Sequence, residues 1–111
     1  MLQGGVRLSY NRLMNRSEVL KKLRDRAEAI RAMGATSLYV FGSTARDEAE
    51  RDSDLDVFID YDPGSRFNAF DLVGIKQFLE HELGVEVDVT TRDGLHPMLR
   101  ADIEQSALRV F

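Results

Sequence analysis

FGSTARDEAERDSDLDVFID, residues 41–60, is the stretch on which the fold turns. Its second half alternates: Leu55, Val57 and Ile59 point one way, and Asp54, Asp56, Phe58 and Asp60 point the other, which is the period of a half-buried strand. Just before it, the apolar run Leu38-Tyr39-Val40-Phe41 stops at Gly42-Ser43, so a buried strand is expected to end there. Thr44–Glu50 reads as a short helix start. Asp54 and Asp56 leave the same face of their strand, with Cα atoms roughly 6.5–7 Å apart. Carboxylates that close resist joint ionisation unless a cation sits between them. Hard oxygen donors of this kind suit Mg²⁺ shared with substrate phosphates. Taken alone, such a pair is weak evidence, since most are the wet side of an amphipathic strand.

Outward from this stretch the elements are legible. Asn15-Arg16-Ser17-Glu18 is a helix-start signal, with Asn15 and Glu18 placed for a capping box. Leu20, Leu23, Ala27 and Ile30 then form one apolar stripe, and Gly34 closes the helix. Asp62-Pro63-Gly64-Ser65 is a turn. Residues 68–83 read as a second helix, with Leu72, Ile75, Leu79 and Leu83 in register, an interior Gly74 and a closing Gly84. Val85, Val87 and Val89 alternate with Glu86, Asp88 and Thr90, a third strand. Pro97 is placed to start a last helix with Leu99, Ile103 and Ala107 inward. This order predicts an α+β (α/β-like) domain: a small mixed central sheet with helices packed on it. Leu99, Ile103, Leu108, Val110 and Phe111 are expected to complete its core. Residues 1–13, with Gly4-Gly5 and no clean period, read as a flexible leader, leaving 14–111 as one domain.

Composition bounds the function classes. A chain of 111 residues, 43% apolar and 31% charged, fits one globular domain. No apolar run approaches the ~18 residues that span a bilayer. The absence of cysteine excludes disulfides and thiolate chemistry and suits a reducing cytoplasm. The net charge of −4 conceals an asymmetry, with +5 over residues 1–41 and −6 over residues 42–62. The basic third reads as a wet helix face, and no direct nucleic-acid or membrane binding is expected from it. There is no Gly-x4-Gly-Lys-Ser/Thr loop and no Gly-x-Gly-x-x-Gly. His81 and His96 lack the spacing of a zinc site.

Two features add to the aspartate pair. Asp88 is a third carboxylate, on another strand, and the acids converge if the two strands are neighbours. Three acids can hold two ions about 3.5–4 Å apart, the arrangement used for in-line displacement at phosphorus. Gly42-Ser43 offers close backbone approach and a hydroxyl donor to a phosphate. Gly42-Ser43, ten residues, then Asp54-Leu55-Asp56 resembles the signature of the DNA polymerase beta-like nucleotidyltransferase superfamily. Phe41-Gly42-Ser43-Thr44-Ala45-Arg46, Ser53-Asp54-Leu55-Asp56-Val57 and Val87-Asp88-Val89 resemble its minimal nucleotidyltransferase (MNT) family. The likeness covers nearly all of residues 14–111. One departure is Asp47, where the family usually has Gly.

The resemblance implies a polymerase beta-like core and Mg²⁺-dependent transfer of a nucleoside monophosphate. Gly42 and Ser43 would hold the triphosphate, and Asp54 and Asp56 would ligate two Mg²⁺ ions. Asp88 would ligate the ion that activates the attacking hydroxyl. Arg46 is a candidate phosphate contact, or equally a salt-bridge partner of the acidic loop. Larger relatives carry an acceptor-binding domain, for which this length leaves no room, so the acceptor is expected on another polypeptide. Stand-alone MNT proteins resemble antitoxins of HEPN/MNT pairs. The function this implies is transfer of AMP from ATP to a tyrosine hydroxyl of a HEPN ribonuclease toxin. A non-catalytic antitoxin that acts by binding, and a small-molecule nucleotidyltransferase, are the alternatives.

Overall fold

The protein is described by a computed structural model covering residues 15–46 and 54–111. The expected leader, residues 1–13, and Asp47 lie outside the described residues, as does most of the helix expected over Thr44–Glu50. What is described of the latter, Thr44–Arg46, is a turn.

Helix α1 (Arg16–Asp25) starts on the expected capping box: the Asn15 side chain accepts from the Glu18 amide at 3.0 Å, and the Glu18 carboxylate accepts from the Asn15 amide at 3.0 Å. One helix was expected as far as Gly34, but the chain breaks at Arg26 and resumes as α2 (Ala27–Ala32). The cause is a side chain inserted into the backbone ladder. The Arg26 guanidinium donates to the Lys22 carbonyl (3.3 Å) and to Glu82 (2.7 Å), while its amide turns to the Leu23 carbonyl (3.1 Å). Gly34 follows with φ +113°.

The sheet is mixed, as expected, and its strands lie side by side in the order Val87–Thr91, Leu55–Tyr61, Ala35–Phe41, Leu108–Arg109. Strands β1 (Ala35–Phe41) and β2 (Leu55–Tyr61) are antiparallel, and β3 (Val87–Thr91) lies parallel to β2. Helix α3 (Ala69–Leu83) makes the crossover between them, capped by Asn68 and ended by Gly84 with φ +71°. Helix α4 (Arg100–Ser106) begins three residues after Pro97, and Leu99, expected inward, is 54% exposed. The chain then returns as β4 (Leu108–Arg109), antiparallel to β1, a strand too short to show a period in the sequence. Of the other C-terminal residues expected in the core, Val110 is buried and Leu108 and Phe111 pack against it, whereas Ile103 on α4 is only half-buried and stays outside it.

One face of the sheet carries Leu38, Val40, Leu55, Val57, Ile59, Val87 and Val89 against Leu23, Ile30, Ile75 and Leu79 of α1 to α3. The opposite face carries Tyr39, Phe41, Asp56, Phe58, Asp60 and Asp88 by alternation. It is not uniformly wet. Phe58 is fully buried, because Tyr39 stacks on it at 4.7 Å and the Arg92 guanidinium covers both rings at 4.9 Å. Among the described residues, no helix is long and apolar enough to cross a membrane.

Candidate active site

The acidic end of the second face is set by strand register. Asp56 pairs with Phe41 across β1/β2 and with Asp88 across β2/β3. In-register neighbours of a sheet point to the same side, so the two carboxylates stand next to each other. Asp54, exposed, lies at the mouth of β2. Burial, then the Asp88 and Asp54 carboxylates, push the Asp56 carboxyl above its ordinary range, and the nearby Arg46 guanidinium pulls it back down. The sequence singled out Asp54, Asp56, Asp88 and Arg46, and the fold brings the other three within electrostatic reach of Asp56.

The turn after β1 reaches the same point. Gly42 has φ +74°, and a Cβ built on it would lie 2.6 Å from Asp56 Oδ2. Only glycine combines that backbone with that contact. Ser43, half-buried, follows in the turn. The turn is pinned from below: Thr44 and Ala45 are buried, the Arg46 amide donates to the Gly42 carbonyl at 3.2 Å, and Arg16 Nη1 donates to the Ala45 carbonyl at 3.1 Å.

The donor set suits a divalent cation shared with a ligand. Among the described residues, no three His, Cys, Asp or Glu side chains are arranged to enclose an ion by themselves. An open set of carboxylates is what Mg²⁺ uses when water and phosphate oxygens fill its other positions.

Arg92 belongs to no motif in the sequence, yet it joins three elements. It grips Asp60 with Nε at 2.8 Å and Nη2 at 2.9 Å, and Glu104 with Nη1 at 2.9 Å. The Arg92 hydrogen bonds hold the carboxyls of Asp60 and Glu104 below their ordinary range. The available signal was Asp60 itself, four residues beyond Asp56 on the same face, which needed a cation from another element. A shallow hollow lined by Asp60, Tyr61, Pro63 and Arg92 lies at that end of β2, away from the acid cluster.

Residues 16–110 match the family described as nucleotidyltransferase domain. A Methanocaldococcus jannaschii protein, provisionally named a protein adenylyltransferase, is 35% identical over 98 residues, spanning 88% of this chain and all of the relative. A solved structure provisionally described as a minimal nucleotidyltransferase superimposes with TM-score 0.67 at 38% identity, covering 86% of this chain and 96% of the other. Two complexes share the fold at lower identity. A toxin–antitoxin with AMP-PNP has TM-score 0.62 at 19% identity, covering 88% of this chain and 73% of that one. A tri-AMPylated Shewanella oneidensis HEPN toxin with its MNT antitoxin has TM-score 0.59 at 14% identity, covering 83% and 71%.

Proposed function

The chain belongs to the nucleotidyltransferase domain family, and from that premise we propose that it transfers AMP from ATP to a tyrosine hydroxyl of a cognate HEPN toxin, acting as its antitoxin in the cytoplasm. The domain doing so is residues 14–111. One observation carries the reading: Asp56 and Asp88 are register partners on adjacent strands, at the spot where Gly42 clears a Cβ's worth of space.

Each residue has a role in this account. The Gly42-Ser43 turn receives the triphosphate, and Arg46 adds positive charge beside it. Asp54 and Asp56 would hold two Mg²⁺ ions, with Asp88 as a further carboxylate ligand. When bound, the ions supply charge neutralisation at the phosphates and lower the pKa of the attacking hydroxyl. The tyrosine oxygen forms a bond to the α-phosphorus as the bond to the bridging oxygen of pyrophosphate breaks. Asp88 takes up the hydroxyl proton. The chain contributes positioning and fixed charge. The AMP-PNP complex and the AMPylated toxin among the structural neighbours support ATP as donor and a HEPN protein as acceptor.

The test is incubation of the protein with labelled ATP, Mg²⁺ and its HEPN partner. Label is expected on the partner, and not when Asp54→Asn or Asp56→Asn replaces the wild type. An unlabelled partner that is nonetheless neutralised by binding would refute transfer.

A further inference from the structure

We propose that Lys76 and Glu80 of α3 are positioning residues for this site: they brace the outer edge of β3 at Val87 and thereby set Asp88 beside Asp56. The proposal rests on the nucleotidyltransferase reading of the aspartates.

Strand β3 is at the edge of the sheet, with β2 on one side only. The Glu86 carbonyl faces β2, where it accepts from the Leu55 amide at 2.9 Å. By alternation, the backbone of Val87 faces outward, where an edge strand has no neighbour to pair with. Two side chains one helical turn apart replace that neighbour. Lys76 Nζ donates to the Val87 carbonyl at 2.7 Å, and Glu80 Oε2 accepts from the Val87 amide at 3.1 Å. Lys76 and Glu80 also join each other at 2.8 Å, closing a ring around the residue immediately before Asp88.

The brace stands where the sheet is under load. Like charges directly opposite one another on neighbouring strands repel, and Asp56 and Asp88 are such a pair. Repulsion tends to open β2 from β3 at this point, while the ring holds β3 from behind. An ordinary exposed pair one helical turn apart does little. Lys21–Asp25 on α1 is one of these, with both side chains more than half exposed. Lys76 and Glu80 differ because both of them also bond the backbone of a strand.

The experiment compares Lys76→Met, Glu80→Gln, Lys76→Arg and the control Lys21→Met with wild type in two measurements. Amide hydrogen exchange without metal reads the Val87 and Leu55 amides. Calorimetry of ATP binding at a series of Mg²⁺ concentrations reads the site. Lys76→Met and Glu80→Gln are expected to exchange faster at both amides and to need about tenfold more Mg²⁺ for half-maximal ATP uptake. Lys76→Arg should recover most of both, and Lys21→Met should change neither. Faster exchange with an unchanged Mg²⁺ requirement would reduce the brace to a stability element and overturn the proposal. Unchanged exchange would overturn it too. If wild type takes up no nucleotide with Mg²⁺, the reading of the aspartates has failed, and exchange still reports separately on the brace.

Discussion

Asp56 and Asp60 sit four residues apart on one face of one strand, and their surroundings drive them in opposite directions. Burial and two neighbouring carboxylates raise the Asp56 carboxyl, while the Arg92 hydrogen bond lowers that of Asp60. A raised folded pKa means that stability is lost as pH climbs from the ordinary Asp value through the folded one. Asp56 therefore costs the fold stability at neutral pH. Asp56→Asn is expected to melt at a higher temperature than wild type at pH 7, by an amount that vanishes near pH 3, while AMP transfer falls by about 100-fold or more. Calorimetric melting and the transfer assay check the two halves. Gly42→Ala should fail on both counts. A Cβ meets Asp56 Oδ2 at 2.6 Å in a left-handed backbone, so a stability loss of about 1–2 kcal/mol is expected in denaturant titration, with transfer reduced.

At the scale of elements, Gly74 is the simplest case. It lies inside α3 with nothing within 4 Å of a built Cβ, so Gly74→Ala should stabilise the protein by about 0.5–1 kcal/mol and leave transfer unchanged. Arg92 is the opposite case, because it ties β2 to α4 through Asp60 and Glu104. Arg92→Met is expected to cost about 1–3 kcal/mol at pH 7. The lowered Asp60 carboxyl contributes stability above its ordinary pKa and loses it as pH falls through the folded value. The difference between Arg92→Met and wild type should therefore shrink on acidification below about pH 4. The elements legible in the sequence were those carrying a period or a cap: α1 from Asn15 and Glu18, α3 from its Leu/Ile stripe, β2 and β3 from alternation. The break at Arg26, the two-residue β4, the exposure of Leu99 and the burial of Phe58 were not legible. The break, β4 and the burial of Phe58 each depend on a partner from a distant part of the chain: Glu82, β1, and Tyr39 with Arg92.

At the scale of the molecule, the sheet order gathers the candidate site around one short motif. Strand β2 sits between β1 and β3, so Asp56 meets the turn after β1 on one side and Asp88 on the other. The spacing of Gly42-Ser43 and Asp54-x-Asp56 was visible along the chain. The brace from α3 was not, because Lys76 and Glu80 look like any exposed helical pair until β3 is laid beside them. The most direct test of the central claim is a calorimetric titration of ATP into the protein with and without Mg²⁺, repeated with Asp56→Asn and Asp88→Asn. The expected result is saturable uptake by wild type only when Mg²⁺ is present, and its loss in both variants. Equal uptake without the ion, or undiminished uptake by either variant, would contradict the account.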